Sequence, residues 1–416
     1  MNLAVLFIYV FIIFFNWISI YVPYLNYVDE VICLISFVYL IMHIFNGGKI
    51  HVTRSQRDSY FCIILILLIG LFGNVFYSYM SSVSVILRDI VGTFKFFIIY
   101  LAGRKFIDKY NVLVKPKKLM FTTKIIITVI FFFCLLNLFV NTGMADEVRY
   151  GIRSYRFIYT HYTYLVYSEV ILFSMLFMEE KKNLVFKGMS LVSMAATLRT
   201  KAFIAIAFIL AYYLLSYLKK KNVSFKDFMK PIYIVPVVVI GYCISKSKIQ
   251  EYLSWGVSQS IRVGVHSVGF KIANKHFPFG TGLGTYGTNI SYANDSKLYS
   301  IYNSINYSHL LEYGYATMSD VYWPSIYVQF GYIGCILFLL LIICICKDLL
   351  VKAICDKKSQ FSALLVLFYM VSASVSEATF SNESGAFSAV ILLIIIAVSK
   401  YKVKYKAKVA TAKQKE

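Results

Sequence analysis

Apolar blocks about twenty residues long recur along the chain, separated by short polar segments. Twenty residues is the length at which an α-helix crosses a bilayer. Twelve blocks can be read, at about 3–22, 30–46, 59–78, 83–103, 124–142, 157–178, 184–198, 202–218, 231–247, 323–345, 360–378 and 385–399. Only 15% of residues are charged and 59% are hydrophobic, with a mean hydropathy of +0.69; a soluble domain carries about a quarter charged residues. The expected fold is therefore all-α: a polytopic integral membrane protein of about 12 transmembrane helices.

The charges are uneven, with 42 Lys and Arg against 20 Asp and Glu and a formal net charge of +22. In a soluble protein that excess would suggest nucleic acid. Here the basic residues fall between the apolar blocks, so they report topology, and no nucleic-acid partner is expected. Lys and Arg mark the cytoplasmic ends of short loops. Lys49, Arg54 and Arg57 follow the second block, Arg104 to Lys124 the fourth, and Lys181, Lys182 and Lys187 the sixth. Five lysines from Lys219 to Lys230 follow the eighth, Lys347 to Lys358 follow the tenth, and seven from Lys400 to Lys415 follow the last. Every even-numbered exit is basic, which places both termini in the cytoplasm. The first block has neither a basic n-region nor a small-residue cleavage site, so no removable signal peptide is expected.

This reading divides the chain into 1–245 (nine helices with short loops), 246–322 (one large ordered extracytoplasmic loop with amphipathic helices), 323–400 (three helices) and 401–416 (a basic cytoplasmic tail). Loops of such length are functional or disordered, and the abundance of aromatics argues for order. Tyr and Trp suit both sugar stacking and the membrane interface. Ile261, Val263, Val268 and Ile272, roughly at helical spacing, predict an amphipathic helix over 257–276. Gly282, Gly284 and Gly287 satisfy G-x-G-x-x-G, but the dinucleotide reading needs a strand, a helix and a later acidic residue. A tight turn that lets backbone approach a ligand or a neighbouring helix is the better expectation. Seven of the eight cysteines lie in or beside apolar blocks and no C-x-x-C occurs, which fits small core residues. No repeat of two matching halves is visible.

Several charges break the topological rule. Arg149, Arg153, Arg156, Arg199, Lys201 and Arg262 all fall on the outer side, and Arg88, Asp89, Lys95 and Glu169 fall inside blocks. Ionisable groups at membrane depth face a cavity or one another. Arg is suited to bidentate capture of phosphate oxygens, so the outer arginines are candidates for a pyrophosphate at the outer leaflet.

Three stretches resemble the O-antigen ligase/polymerase superfamily. Ala196-Thr-Leu-Arg-Thr-Lys-Ala-Phe-Ile-Ala205 is similar to its Ser-Arg element between two spans, with Leu198 in the place of the Ser. Arg262 and then Val268 to Gly284 resemble its outer-loop pattern of arginine, helix, Pro and G-x-G-x-G. Ser319 to Gly334 resembles the entry to the next span, and Arg153-Ser-Tyr-Arg-Phe157 is a weaker match. Ligases of the superfamily typically carry His-Asn where this chain has Ser319-Asp320, which points towards a Wzy-type O-antigen or capsule polymerase.

The resemblance implies a GT-C-like helical bundle in the bacterial inner membrane. It implies transfer of a growing glycan from undecaprenyl pyrophosphate to the next lipid-linked oligosaccharide repeat unit. The partners would be those substrates and membrane lipids, with room for a chain-length regulator. Arg199, Arg262, Arg153, Arg156 and Lys201 would bind pyrophosphate, stabilising the leaving group without a metal; no D-x-D or metal-ligand spacing is present, and no cofactor is expected. Asp320 is the first candidate for general base, with His309 and Glu312 next, then His276 and His161. Tyr286, Tyr322 and Trp323 are candidate sugar-stacking residues. An O-antigen ligase-type transferase and a lipid-linked oligosaccharide flippase are the alternatives.

Overall fold

A computed structural model of the protein describes residues 2–45, 52–179, 183–220, 261–302 and 321–413. The apolar segment 231–247 lies outside them, as do Asp320, His309 and Glu312. The described chain is almost entirely helical. Helices α1 (Asn2–Tyr21), α2 (Val28–Phe45), α3 (Arg54–Tyr77), α4 (Val83–Lys109) and α5 (Pro116–Phe139) are followed by strands β1 (Val148–Arg149) and β2 (Ile152–Arg153). Then come α6 (Tyr162–Phe177), α7 (Leu184–Ala196), α8 (Thr200–Lys220), α9 (Ile261–Lys275), α10 (Asn289–Ala293) and α11 (Lys297–Ile301). The C-terminal part holds α12 (Trp323–Gln329), α13 (Gly331–Lys347), α14 (Lys357–Ala373) and α15 (Glu383–Lys413).

Among the described residues, seven helices are long and apolar enough to cross a membrane: α1, α2, α3, α5, α8, α13 and α15. The described helices outside this group have physical reasons for falling short. Helix α4 has the length but carries Arg88, Asp89, Lys95 and Arg104. Helix α6 has 16 residues, about 24 Å against a hydrocarbon core of about 30 Å. Helix α7 is shorter still, with 13 residues. The strand pair is a small departure from the all-α expectation. Tyr150 (φ 54°) and Gly151 (φ 76°) turn it, and positive φ at both central residues is what a two-residue I′ hairpin requires.

The chain forms two compact units, one of residues 1–67, 87–206 and 336–416, the other of 68–86 and 207–335. In the first unit α6 lies at the centre, packed against α5, α7 and α14. Its residues are apolar all round, and every side chain from Leu165 to Phe177 is buried. A helix apolar on all faces belongs inside a bundle. Two of its polar side chains are engaged: Ser168 donates to the Ile13 carbonyl at 3.2 Å, and Glu169 Oε2 accepts from Ser190.

Ionic contacts sort this unit into two ends. At one, Arg104 bonds Asp348 at 3.3 Å, Lys124 bonds Glu179 at 2.9 Å, Lys358 donates to the Glu179 carbonyl, and Lys400 pairs with Asp108. The basic exits of α4, α6 and α13 thus meet beside the second half of α15. Tyr100 and Thr53 also donate to the buried Asp348 carboxylate, at 2.8 and 3.2 Å. The other end carries the loop before α6, the turn between α7 and α8, and the segment between α14 and α15. Between the ends, Lys95 of α4 is buried against Asp29 and lies 3.6 Å from Glu30.

In the second unit the glycine-rich segment 280–287 is the centrepiece. Its glycines at 280, 282, 284 and 287 all have positive φ. A Cβ on Gly282 would stand 2.4 Å from the Asn74 backbone nitrogen, and one on Gly280 would stand 2.3 Å from that of Gly331. The glycines therefore let the segment lie backbone to backbone against α3 and the start of α13. Of the two expected uses of this turn, the described contacts are those of helix packing. Gln329 secures it, accepting from Gly284 N–H at 3.1 Å and donating to the Tyr286 carbonyl at 2.9 Å. Alongside, α9 packs on α12 through buried Val265, Val268 and Ile272; of the stripe expected from the sequence, Val268 and Ile272 are buried and Val263 is half-buried.

Candidate functional site

The site is built at the end of the first unit opposite the basic exits. The hairpin presents Arg149 on one strand and Arg153 on the other, and its return segment is tied down at both sides. Ser154 N–H donates to the Glu147 carbonyl at 2.9 Å, and Tyr155 N–H donates to the Ala196 carbonyl at 2.9 Å. The second bond fixes the hairpin to the end of α7. There Thr197 and Leu198 close the helix, with Leu198 in the left-handed region at φ 52°. A bulky residue rarely adopts that conformation. It reverses the chain so that Arg199 immediately precedes α8, with Lys201 in its first turn.

Tyr162, the first residue of α6, joins the hairpin's acidic approach to Arg199. Its hydroxyl accepts from the N–H groups of Asp146 and Glu147 at 2.9 and 3.0 Å. The Arg199 guanidinium lies 4.1 Å from the centre of its ring, a cation–π contact. Glu147 then bridges two arginines, its Oε2 accepting from Arg149 Nε at 2.9 Å and from Arg199 Nη2 at 3.2 Å. Arg156 donates to Asp146 at 2.9 Å and to the Tyr159 carbonyl at 2.9 Å. Lys201 pairs with Glu377 from the segment between α14 and α15.

The cluster leaves donors over. Nε of Arg199, Nε of Arg156 and Nη1 of Arg153 are buried and have no acceptor. Buried donors are normally satisfied. Three orphaned guanidinium N–H groups at one end of a bundle are what an anion with several oxygens would satisfy.

Burial would raise the Glu147 carboxyl, but the hydrogen bonds and charges of Arg149 and Arg199 outweigh it and hold it below the usual carboxylate range. His161, just before α6, is pushed below its ordinary value, first by desolvation and then by the charge of Arg199. Lys201 adds to that effect, while Glu377 and Glu147 oppose it.

Arg156, Arg199 and Lys201 are thus brought together, and Arg153 lies at the same end on the hairpin's second strand, on the face opposite Arg149. Arg262, on α9, belongs to the other unit, as do Tyr286, Tyr322 and Trp323. Tyr286 is buried in that unit's core, its ring stacked on Tyr299 and its hydroxyl donating to the Val265 carbonyl at 3.0 Å. Tyr322 is buried as well, its ring edge to face with that of Trp323, the next residue. His276 is buried too, its two ring nitrogens engaged by Tyr79 and the Ile272 carbonyl. Asp146, Glu147, Tyr162 and Glu377 are site residues that sequence reasoning did not single out. The acidic pair Asp146-Glu147, one residue short of Arg149, was the one available signal; Glu377 gave none.

Among the described residues no three His, Cys, Asp or Glu side chains come together as a metal-ligating group. The class these helices define is a helical membrane protein. No protein-family model matches the chain, and no curated protein matches it.

Proposed function

We propose that this chain is a polymerase of bacterial surface polysaccharide, a metal-independent glycosyltransferase acting on lipid-linked substrates at the outer face of the inner membrane. In this reading it has twelve membrane helices in a GT-C-like bundle, with the basic exits and both termini in the cytoplasm. The single observation that carries the reading is the cluster of Arg149, Arg153, Arg156, Arg199 and Lys201, with its three orphaned N–H groups, at the end opposite the basic exits. The resemblance of Ala196–Ala205 to the superfamily's Ser-Arg element falls on that same cluster.

The donor's pyrophosphate docks on these cations, which stabilise the negative charge that develops as the glycosidic C1–O bond breaks. The acceptor sugar's hydroxyl attacks C1 and gives its proton to a base, for which Asp320 is the residue the sequence nominates.

The test is the length profile of surface glycan in a strain whose own gene is replaced by variants, with membrane insertion checked in parallel. Arg199→Ala and Arg156→Ala should collapse the polymer ladder to a single repeat unit. Arg199→Lys keeps the charge but loses the planar stack on Tyr162, and should cut long chains about tenfold or more. Full ladders from inserted Arg199→Ala would end the proposal. A null strain with no surface glycan at all would favour the ligase or flippase alternatives.

A further inference from the structure

The four ion pairs of the Arg199 cluster share an asymmetry. In each the carboxylate is more exposed than the cation it holds: Glu147 45% against Arg199 13%, Glu377 29% against Lys201 13%, Asp146 57% against Arg156 23%, and Glu147 45% against Arg149 30%. The cations are anchored deeper, Arg199 on the Tyr162 ring and Arg156 on the Tyr159 carbonyl. The carboxylates lie on the accessible side. Any anion arriving from solvent or a headgroup layer reaches the position of the carboxylates before it reaches the cations.

The carboxylates also under-serve their partners. Glu147 divides one oxygen between two arginines, and among the arginines these carboxylates hold, Nε of Arg199 and Nε of Arg156 remain without acceptors. A diphosphate carries its oxygens on one compact group and can offer pairs of them to several guanidinium groups at once, the bidentate contact that arginine favours. We propose that Glu147 and Glu377 are displaceable counter-anions of a diphosphate site. They hold Arg199 and Lys201 in place and yield them when a diphosphate binds. The inference rests on reading the cluster as the pyrophosphate site and adds what controls its affinity: binding competes with two carboxylates of the same chain, so their charge weakens the site.

The sign of the effect separates this role from a structural ion pair. Losing a structural pair loosens the cations and weakens anion binding, whereas losing a competing carboxylate tightens it. The experiment uses the full chain in lipid nanodiscs, titrated with inorganic pyrophosphate by calorimetry, and repeated with undecaprenyl diphosphate present in the lipid. Glu377→Gln should bind pyrophosphate about fivefold or more tightly than the unchanged protein, the range of ordinary coupling between sites. Glu147→Gln should do the same, and carries the test if Glu377→Gln does not insert. Glu377→Asp keeps the charge and should leave affinity unchanged.

Suppression of pyrophosphate binding by undecaprenyl diphosphate supports the counter-anion role with a lipid-borne ligand. Tightening without that suppression supports it with a water-soluble one. Binding that is unchanged or weaker in both Gln variants overturns the counter-anion role while leaving the anion site intact. Absence of binding in every protein overturns the anion site itself, and the counter-anion role with it.

Discussion

Asn74 of α3 holds Leu283 of the glycine-rich segment by both of its backbone groups. Its Oδ1 accepts from the Leu283 N–H at 2.7 Å and its Nδ2 donates to the Leu283 carbonyl at 2.9 Å. The two residues are 209 positions apart, and both bonds are buried. An Asn in an apolar helix is costly unless its amide is satisfied. Here a loop backbone does so, and the loop gains the partners that its irregular conformation cannot supply.

Asn74→Leu leaves both backbone groups of Leu283 buried and unpaired. At about 1–3 kcal/mol for each unsatisfied group, it should lower the unfolding midpoint of the detergent-solubilised protein by several degrees. Asn74→Asp should be intermediate, because it keeps the acceptor for the N–H but sets a carboxylate against the carbonyl. Thermal unfolding followed by fluorescence-detected size exclusion gives the ranking. Equal midpoints for Asn74→Leu and the unchanged protein would show that the clamp is absent.

Gly282 allows the clamp to close. With φ at 102° and a Cβ position 2.4 Å from the Asn74 nitrogen, Gly282→Ala meets backbone that cannot yield as a flexible side chain would. The expected loss is about 2 kcal/mol or more, combining backbone strain with overpacking. Gly92, inside α4, has nothing within 4 Å of its Cβ position, and Gly92→Ala should be neutral or slightly stabilising. The pair of midpoints, measured side by side, separates a glycine required by contact from one that merely occupies a helix.

Much of the architecture was legible because bilayer thickness sets block length and Lys and Arg mark one side. The apolar blocks became helices wherever the described residues cover them, and of the expected amphipathic stripe Val268 and Ile272 are buried while Val263 is half-buried. The glycine turn was legible as a turn, but its partners Gly73 and Asn74 were not, because sequence spacing carries no tertiary distance. The same limit governs the site. Arg199 stood out as a charge in an unexpected place, while the groups that hold it, Glu147 and Tyr162, lie about fifty and forty positions away and look ordinary in sequence. The hairpin turned on Tyr150 and Gly151 escaped because a two-residue strand leaves no periodicity to read.

Lys95 and Asp29 form a pair buried on both sides, each side chain 3% exposed, with Glu30 3.6 Å from the same ammonium. Removing one partner of a buried pair costs about 3–5 kcal/mol, because the other charge remains without compensation. Lys95→Met leaves two carboxylates facing each other and should reduce the folded, membrane-inserted protein most. Asp29→Asn should be milder, since Glu30 is near enough to take over. The triple change Lys95→Met, Asp29→Asn and Glu30→Gln removes every charge and should recover much of the loss. If Lys95→Met and Asp29→Asn cost the same, Glu30 has no part in the pairing.

His161 offers a pH signature for the cluster. Desolvation and the charges of Arg199 and Lys201 hold its imidazole below the ordinary 6.5, so the neutral form is the one the folded protein favours. Linkage sets the sign of the stability effect. Above 6.5 neither folded nor unfolded chain binds this proton, and the preference is fully present. As pH falls from 6.5 through the folded value, the unfolded state takes the proton first and this contribution to stability is lost. Its Nδ1 also accepts from Thr163 N–H at 3.3 Å to cap α6, a bond that a protonated Nδ1 cannot accept. Histidine hydrogen–deuterium exchange read by mass spectrometry should place the His161 midpoint below 6.5. In Arg199→Gln, where the largest opposing charge is gone, the midpoint should rise. Glu377→Gln removes a carboxylate that favours the proton, so it should move the midpoint down. Shifts in the same direction for both variants would mean that His161 does not sense these charges, and that the cluster is not arranged around it.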